Sequence, residues 1–423
     1  MHRSKMDLEG RNLEGAAFAE RQIPEGNDFL SREELDALTP EEMVRRAKEL
    51  RPLLAKNTRQ AEIERKPVDE VWSALRKAGF FYHFVPKKFG GLEFEVEPFI
   101  DIVYELAQGC TSTAWVMSFC MEHNWMMSQF PEQAQEEIFG HSPYIIAPGV
   151  NSPTMVATPV DGGFNLSGLW RFGTCIMHSD WILGGGTIPG EDPPQPWFFV
   201  LPAEEAIVHD TWHVDGMIGT GSNDIELRNV FVPSHRVTHF GKMSEGTAYG
   251  REVHSNPLYR QPMLPFLTVT AGSCIAGAAR AAIDAFADYL SKRTLFGTGE
   301  RQVDKPSAHM RLGKADMMVR SAHRIIRDVA LRNREAANRP GIVPAEERFS
   351  LRADVAYAVH SCREAVNLIC CAAGSSAHHL DNPLQRAQRD INTGANHVVF
   401  ELDATTEQLG RIMLGLPMTT PLA

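Results

Sequence analysis

Hydrophobic residues recur at helical spacing through the first third of the chain. Between residues 41 and 75, apolar positions three and four apart predict two successive helices. Residues 111–130 follow a different pattern, because apolar side chains occur on every side of the helix rather than on one face. A helix without a polar face is typical of the centre of a helical domain, where neighbouring elements cover it completely.

The pattern changes near Pro143. Residues 143–262 contain 12 of the 26 prolines and 15 of the 33 glycines, and short β-prone runs lie between these turn residues. The predicted strands are residues 144–147, 164–172, 181–184, 197–201 and 226–232. The sequence therefore predicts a small β domain in the middle of the chain.

Helical periodicity returns after Pro265 and continues almost to the end of the chain. Four long helices are predicted, at residues 266–290, 309–338, 350–373 and 396–414. They indicate a C-terminal four-helix bundle. The predicted fold class is mainly α with a central, barrel-like β domain. Its parts are a weakly ordered tail at 1–30, a helical domain at 31–142, the β domain at 143–262 and the bundle at 263–423.

Composition excludes several kinds of partner. The 423 residues carry 42 Lys and Arg against 53 Asp and Glu, without a basic block, so neither a nucleic-acid surface nor a membrane surface is expected. The seven cysteines form no CxxC pair, and the N-terminal region lacks an apolar signal core, so we expect a cytoplasmic protein acting on small molecules. The adjacent His378 and His379 are a poor metal cage, and no metal site is predicted.

The stretch from Gly168 to Trp181 is the strongest candidate for a ligand-binding strand. It is rich in aromatic and β-prone residues and opens with a turn glycine. Phe172 and Thr174 would set a ring and a hydroxyl group against a planar ligand. An ordinary amphipathic strand explains the same pattern.

Two histidines are candidates for acid–base chemistry, because the reference pKa of histidine, about 6.5, lies near neutrality. His123 lies in the apolar helix, and His397 follows a potential capping asparagine. Each has a structural alternative: a core histidine with a hydrogen-bond partner for His123, and a residue beside a helix cap for His397. The neighbouring Trp115, Phe119 and Met126 are either the wall of a substrate cavity or plain core.

The candidate strand and three further stretches resemble the acyl-CoA dehydrogenase-fold flavoproteins. In the strand, a glycine, an aromatic residue, a hydroxyl residue and a tryptophan match the spacing of the family's flavin-binding strand. The other stretches are residues 210–225 with Val-Pro at 232–233, Arg293-Thr-Leu-Phe-Gly297, and Arg389-Asp390. The likeness covers the chain from about residue 40 to its C-terminus.

The resemblance implies roles for individual residues toward a flavin. Phe172 is expected to pack on the isoalloxazine ring, and the hydroxyl group of Thr174 is expected to hydrogen-bond the N5 edge of that ring. Arg293 and Phe296 are expected to reach the cofactor of a neighbouring subunit, which implies a homotetramer. Ser375 is expected to be a further cofactor-binding residue.

Two departures separate the chain from the dehydrogenases of that fold. Nine residues after Arg389, where those enzymes keep a catalytic glutamate, the chain has Val398, and residues 146–153 replace their Thr-Glu-Pro segment. The stretches Cys110-Thr-Ser-Thr-Ala-Trp-Val, His123-Asn-Trp and Asn396-His397 instead resemble the monooxygenase branch of the fold.

That branch consists of two-component oxygenases that take reduced FMN or FAD from a separate flavin reductase and hydroxylate aromatic, often phenolic, compounds with O2. The resemblance implies a flavin C4a-hydroperoxide steadied by Thr174, and His123 or His397 as the catalytic base. The substrate pocket is predicted to comprise Trp115, Phe119, His123 and Met126. Two alternatives remain: an acyl-CoA desaturase of the same fold with a different base, and a flavin carrier or scaffold without catalysis.

Overall fold

Helices form the first part of the fold. The computed structural model of the protein describes residues 29–140, 142–294 and 297–420, so most of the tail predicted at 1–30 lies outside the described residues. Before the sheet, the helices are α1 (Arg32–Asp36), α2 (Pro40–Glu64), α3 (Asp69–Lys77), α4 (Val96–Ala107), α5 (Thr111–Met127) and α6 (Glu132–Phe139). The two helices predicted between residues 41 and 75 are confirmed as α2 and α3.

Helix α5 is enclosed on every side, as the sequence predicts. Each of its 17 residues is buried. It packs against α4 on one side and against the long helix that follows the sheet on the other. Because no face of α5 reaches water, each polar side chain on it requires a partner within the protein.

The described strands form one seven-stranded sheet with the order β5-β6-β2-β1-β3-β4-β7. The strands are β1 (Gly149–Val160), β2 (Gly163–Gly173), β3 (Trp181–Thr187), β4 (Pro196–Pro202), β5 (Ile207–His209), β6 (Asn223–Pro233) and β7 (Val237–His239). Neighbours are antiparallel except for β1 and β3, which run parallel. The inner face of the sheet has its own apolar core, separate from that of the helices.

The strand predicted at residues 144–147 is wrong, and the first strand is β1 instead. The backbone of residues 145–147 bonds mainly to side chains, and the carbonyl of Ile146 accepts from the N–H groups of Asp180 at 3.0 Å and Trp181 at 3.3 Å. Asn124 on α5 binds both the N–H and the C=O of Ile145, at 2.9 and 3.1 Å, and Asp180 accepts from the N–H of Ile146 at 2.8 Å. These bonds occupy the groups that a strand would need for pairing.

Helices resume after the sheet. They are α7 (Phe240–Glu245), α8 (Gly250–Val253), α9 (Met263–Lys292), α10 (Pro306–Ala337), α11 (Ala345–Ala373), α12 (Pro383–Gly394) and α13 (Leu402–Met413). The first three predicted helices of the bundle are confirmed as α9, α10 and α11. The order of helices, sheet and helices confirms the predicted fold class, whereas the exact domain boundaries stay predictions.

The fourth helix, predicted at residues 396–414, is wrong over its first third, residues 396–401. Arg352 on α11 donates to the carbonyls of Val398 and Val399, both at 3.1 Å, and His360 donates to that of Phe400 at 2.8 Å. These side chains hold residues 398–400 as a short 3₁₀ turn, and α13 begins only after Glu401, which caps it. Helix α12 was missed because its sequence is largely polar.

One described helix, α9, is long and apolar enough to cross a membrane by length and composition. Its most apolar window is 89% buried inside the protein. Contacts with α4, α5, α10, α11 and α12 account for that burial. Helix α9 is therefore packed as a core helix.

Trp170 on β2 provides a test of how the sheet is held together. Its side chain is fully buried, its Nε1 donates to the carbonyl of Gly185 at 2.7 Å, and a Cβ added to Gly184 would lie 2.3 Å from the indole ring. We expect Trp170→Ala to lower the free energy of unfolding by about 3–5 kcal/mol, measured by urea denaturation. Phe231→Ala, at an exposed position on β6, is the matched control and should change it by about 0.5 kcal/mol. An equal effect of the two substitutions would contradict this account.

Candidate active site

A cavity of about 930 Å³ lies between the sheet and the helices. Helices α5 and α9 form one wall, the strands β1, β2 and β6 form the opposite wall, and residues 397–399 close one side. The lining residues include Phe119, Glu122, His123, Gly149, Arg171, Phe172, Glu226, Arg228, Leu267, His397 and Val398. The volume lies in the range of sites for small-molecule ligands.

His123 presents a hydrogen-bond acceptor to the cavity. Its Nδ1 lies 2.6 Å from the carbonyl oxygen of Ala147, and because a carbonyl only accepts, Nδ1 carries the proton and Nε2 is the acceptor. A Cβ added to Gly149 would lie 2.5 Å from Nε2, so the missing side chain at Gly149 leaves Nε2 accessible. Burial lowers the pKa of His123 to about 4, which keeps the ring neutral at pH 7.

His397 presents the opposite group. It lies between α12 and the 3₁₀ turn, where its Nδ1 accepts from the N–H of Val399 at 3.4 Å. The neutral ring therefore carries its proton on Nε2, for which no described residue acts as acceptor. The ring is half-buried with one edge in the cavity, and its enclosure by protein together with the nearby Arg352 guanidinium lowers the pKa of His397 to about 4.

Aromatic side chains separate the two histidines. The ring centroid of Phe119 lies 5.4 Å from that of His123 and 6.2 Å from that of His397. Trp115 lies behind, with its centroid 5.0 Å from Phe119 and 5.7 Å from His397, and is not among the lining residues. Met126 is fully buried and does not line the cavity, so of the predicted pocket residues only Phe119 and His123 face it.

The end of β2 carries an exposed ring on a strained backbone. Phe172 has a φ of 63° and is 61% exposed, and Cys175 has a φ of 67°. Left-handed backbone is uncommon for non-glycine residues and marks candidate functional sites. Trp212 supports the exposed ring edge-on, at a centroid distance of 6.0 Å.

Thr174 lies beyond the cavity wall in a chain of three hydroxyl groups. Its Oγ1 is 2.9 Å from the Oγ of Ser222, which is 2.8 Å from the Oγ1 of Thr220. An exposed aromatic face two residues from a hydroxyl chain fits the flat ring and polar edge of an isoalloxazine. Phe172, Thr174 and Ser222 therefore fit the flavin that the sequence resemblance implies.

The remaining predicted cofactor residues lie in another part of the molecule. Arg293 donates to the carbonyl of Ala373, and its guanidinium lies 5.4 Å from the ring centroid of Tyr289. Ser375 follows Gly374, whose added Cβ would lie 2.7 Å from that guanidinium. Neither Arg293 nor Ser375 lines the cavity, and Phe296 lies outside the described residues.

Arg389 and Asp390 do not line the cavity either. Asp390 accepts from the N–H of Met217 at 2.6 Å, and Arg389 donates to the carbonyl of Asp215 and to Glu62 at 2.7 Å. They join α12 to α2 and to the loop that leads to the hydroxyl chain. Their contribution to the site is the placement of that loop.

Three residues of the site were not predicted from the sequence. The sequence places Ser222 only within the stretch 210–225 that resembles the family, and Gly149 only within the replaced segment 146–153. Glu122 lines the cavity beside His123. A single acidic residue in an otherwise uncharged stretch of apolar helix was the signal that would have identified Glu122.

Comparisons with known proteins identify the family to which this fold belongs. Residues 36–139 match the family model for the acyl-CoA dehydrogenase N-terminal domain, and residues 269–402 match that for the C-terminal domain. The pigment production hydroxylase of Rhodococcus sp. is 34% identical over 91% of this chain and 99% of its own. The oxygenase component of the FADH(2)-dependent resorcinol hydroxylase of Rhizobium sp. is 31% identical over 88% of this chain and 94% of its own.

A solved structure shows the same fold. The crystal structure of 3-HSA hydroxylase from Rhodococcus sp. RHA1 superposes with a TM-score of 0.85 at 30% identity, covering 90% of this chain and 99% of that one. The similarity extends through the helices, the sheet and the C-terminal helices rather than through one domain. The chain therefore belongs to the flavin-dependent monooxygenases of the acyl-CoA dehydrogenase fold, as an oxygenase component.

Proposed function

We propose that this oxygenase hydroxylates a phenolic aromatic compound in the cavity, with O2 and reduced flavin. The observation that carries the proposal is the placement of His123 and His397 on one cavity with opposite hydrogen-bonding roles, beside the exposed ring of Phe172. The names of the two relatives, both hydroxylases, support this class of reaction.

The binding site for the flavin lies at the β2 side of the cavity in this proposal. Phe172 would pack on the isoalloxazine, and Thr174, backed by Ser222, would hold the N5 edge by a hydrogen bond. Bound reduced flavin supplies the electrons that activate O2. Reduced FAD is favoured over reduced FMN, because the name of the 31% identical relative specifies FADH2.

The two histidines hold the substrate by complementary hydrogen bonds. The Nε2 of His123 accepts the proton of the phenolic O–H group, which increases electron density on the aromatic ring. The Nε2–H of His397 donates to a second oxygen atom of the substrate, near the aromatic carbon that is hydroxylated. The apolar side chains of Phe119, Leu267 and Val398 exclude water from the space between the histidines.

The desaturase alternative lacks its base. Removal of an α-proton from a thioester requires a fixed general base, and Val398 stands where the dehydrogenases of this fold keep their glutamate. Glu401 caps α13 by accepting from the N–H groups of Asp403 and Ala404 at 3.1 and 2.7 Å. Burial raises the pKa of Glu122 well above its usual range, which disfavours the anionic form that a carboxylate base needs. A flavin carrier without catalysis would need neither histidine.

A separate flavin reductase is the partner that this function requires. The part of the chain that the structure describes contains helices and one sheet, with the cavity between them, and the reductant must reach that cavity from another protein. We place the reaction in the cytoplasm, since all seven cysteines are free thiols.

Isotope incorporation tests the proposed reaction directly. The protein is mixed with photoreduced FAD, 18O2 and a panel of mono- and dihydroxylated aromatics, and products are analysed by mass spectrometry. We expect one 18O atom in the product. Reduction of bound flavin by an acyl-CoA under argon, without hydroxylation in air, would favour the desaturase instead.

His123→Asn removes the proposed base. At pH 7 we expect hydroxylation to slow by about 10²–10⁴-fold, with partial recovery as pH rises, because a phenol ionises by itself near its pKa of about 10. The wild-type rate should be constant from pH 6 to 8, since a His123 pKa of about 4 leaves the base neutral there, and should fall only as pH approaches that value. Met121→Leu, on the same buried helix, is the control. A pH-independent variant rate would exclude His123 as the base.

His397→Ala removes the proposed donor. We expect the variant to keep its flavin affinity, to lose most product and to release the reducing equivalents as hydrogen peroxide, because the substrate is no longer held at the reacting distance. Peroxide is measured by a coupled peroxidase assay beside product yield. Unchanged coupling in a folded variant would exclude this role.

Assembly is tested by the mass in solution. Helices α10, α11 and α13 expose large apolar side chains, among them Met310, Met317, Tyr357 and Met413. We propose that these faces are buried in a homotetramer, in which Arg293, Phe296 and Ser375 complete a neighbour's flavin site.

Sedimentation should give four times 47.1 kDa. Met317→Glu should reduce this mass, and Ile63→Glu, at an equally exposed position on α2, should not. A monomeric wild type with full flavin occupancy would contradict the proposal.

A further inference from the structure

Glu122 is a buried acid that the proposed reaction does not yet use. It is 1% exposed, lies on α5 and lines the cavity next to His123. Among the described residues, no Lys or Arg forms an ion pair with it. Burying a carboxyl group without a cation is costly, and such groups are retained mainly where they serve function.

The hydrogen bonds of Thr270 bear on the protonation of Glu122. Thr270 on α9 has one hydroxyl proton and two acceptors within reach, the carbonyl of Leu267 at 2.8 Å and Oε2 of Glu122. The same hydroxyl oxygen is in hydrogen-bond contact with Oε2 of Glu122. When the hydroxyl group donates to Leu267, a protonated Glu122 donates to the hydroxyl oxygen in turn, and the raised pKa that burial causes at Glu122 favours this arrangement.

The other carboxyl oxygen of Glu122 faces the proposed base. Oε1 lies 3.7 Å from Nε2 of His123. With Oε2 protonated, Oε1 is a carbonyl oxygen that can only accept. The two atoms are both acceptors and make no hydrogen bond, but a proton on Nε2 would place a positive charge beside this oxygen.

To act as a base toward a phenol, His123 requires stabilisation of its protonated form. Its pKa of about 4 lies about six units below that of a phenol, which opposes proton transfer by about a million-fold. The other charged groups on the cavity are on the opposite wall: Arg171, and Arg228 paired with Glu226 at 2.8 and 2.9 Å. Neutral His397 lies beyond Phe119. Of these groups, Glu122 alone lies within 4 Å of Nε2 of His123 in the described structure.

We propose that Glu122 is a positioning residue whose neutral carboxyl group stabilises the protonated form of His123 and so strengthens it as a base. In the step concerned, the phenolic O–H bond breaks, its electron pair stays on the oxygen, and an N–H bond forms at Nε2 of His123. Glu122 keeps its own proton throughout, and no oxidant or reductant is needed. The inference rests on the proposed function, in which His123 takes the phenolic proton.

Two substitutions separate this role from a structural one. Glu122→Gln keeps a carbonyl acceptor and a donor for Thr270, whereas Glu122→Met keeps only the approximate volume. Because an unpaired buried carboxyl group contributes little to stability, Glu122→Met should melt at or above the wild-type temperature. Met121→Leu is the control for a change in the same buried helix.

The probe is 4-nitrophenol, whose ionised form absorbs visible light. Titrated into the full-length protein at several pH values, it should bind to wild type and Glu122→Gln with an apparent pKa below that of the free probe. In Glu122→Met that apparent pKa should rise by about one unit, and kcat for hydroxylation should fall about tenfold with KM little changed.

The outcomes are distinguishable. Probe ionisation in Glu122→Met equal to that in wild type would overturn the inference. A loss in Glu122→Gln as large as in Glu122→Met would overturn it too, because it would show that an anionic carboxylate is required. Failure of the wild type to bind or ionise the probe would contradict the base role of His123 itself, and with it the proposed function.

Discussion

The complete burial of α5 is the constraint on which the site depends. A helix with no face in water must satisfy every polar side chain from within the protein. Asn124 does so by binding both backbone groups of Ile145, and His123 does so by donating to Ala147. These bonds fix the segment that leads from the helices into the sheet. The sheet is thereby held against α5, and the proposed base is oriented by the same contacts.

A second set of contacts supplies the opposite side of the cavity. The segment after α12 leaves the helical path because Arg352 and His360 bind the carbonyls of residues 398–400. Side chains of α11 thus replace the hydrogen bonds that a continuing helix would have made. His397 enters the cavity at this interruption. Since both histidines lie near Phe119 and line the cavity, the cavity has an acceptor from α5 and a donor from the segment after α12.

Several features of the site are unfavourable for stability alone. Phe172 and Cys175 adopt left-handed backbone, Glu122 is a carboxyl group without a cation, and both histidines are enclosed where protonation is disfavoured. Each is sustained by surrounding packing, such as the support of Phe172 by Trp212. Their concentration around one cavity is typical of a reaction site, where strain and desolvation set the reactivity of side chains.

The sequence alone determined the order of helices, β domain and helices, the complete burial of α5 and the identity of the aromatic strand, because hydrophobic periodicity and turn residues act locally. It also identified His123, His397, Phe172 and Thr174 as candidates. The direction of each hydrogen bond was decided only by tertiary structure: Ala147 makes His123 an acceptor, and Val399 makes His397 a donor. Side chains from α11 interrupt the helix predicted at 396–414, and the placement of Met126 away from the cavity depends on packing. These contacts join residues far apart in the chain, and no local pattern encodes them.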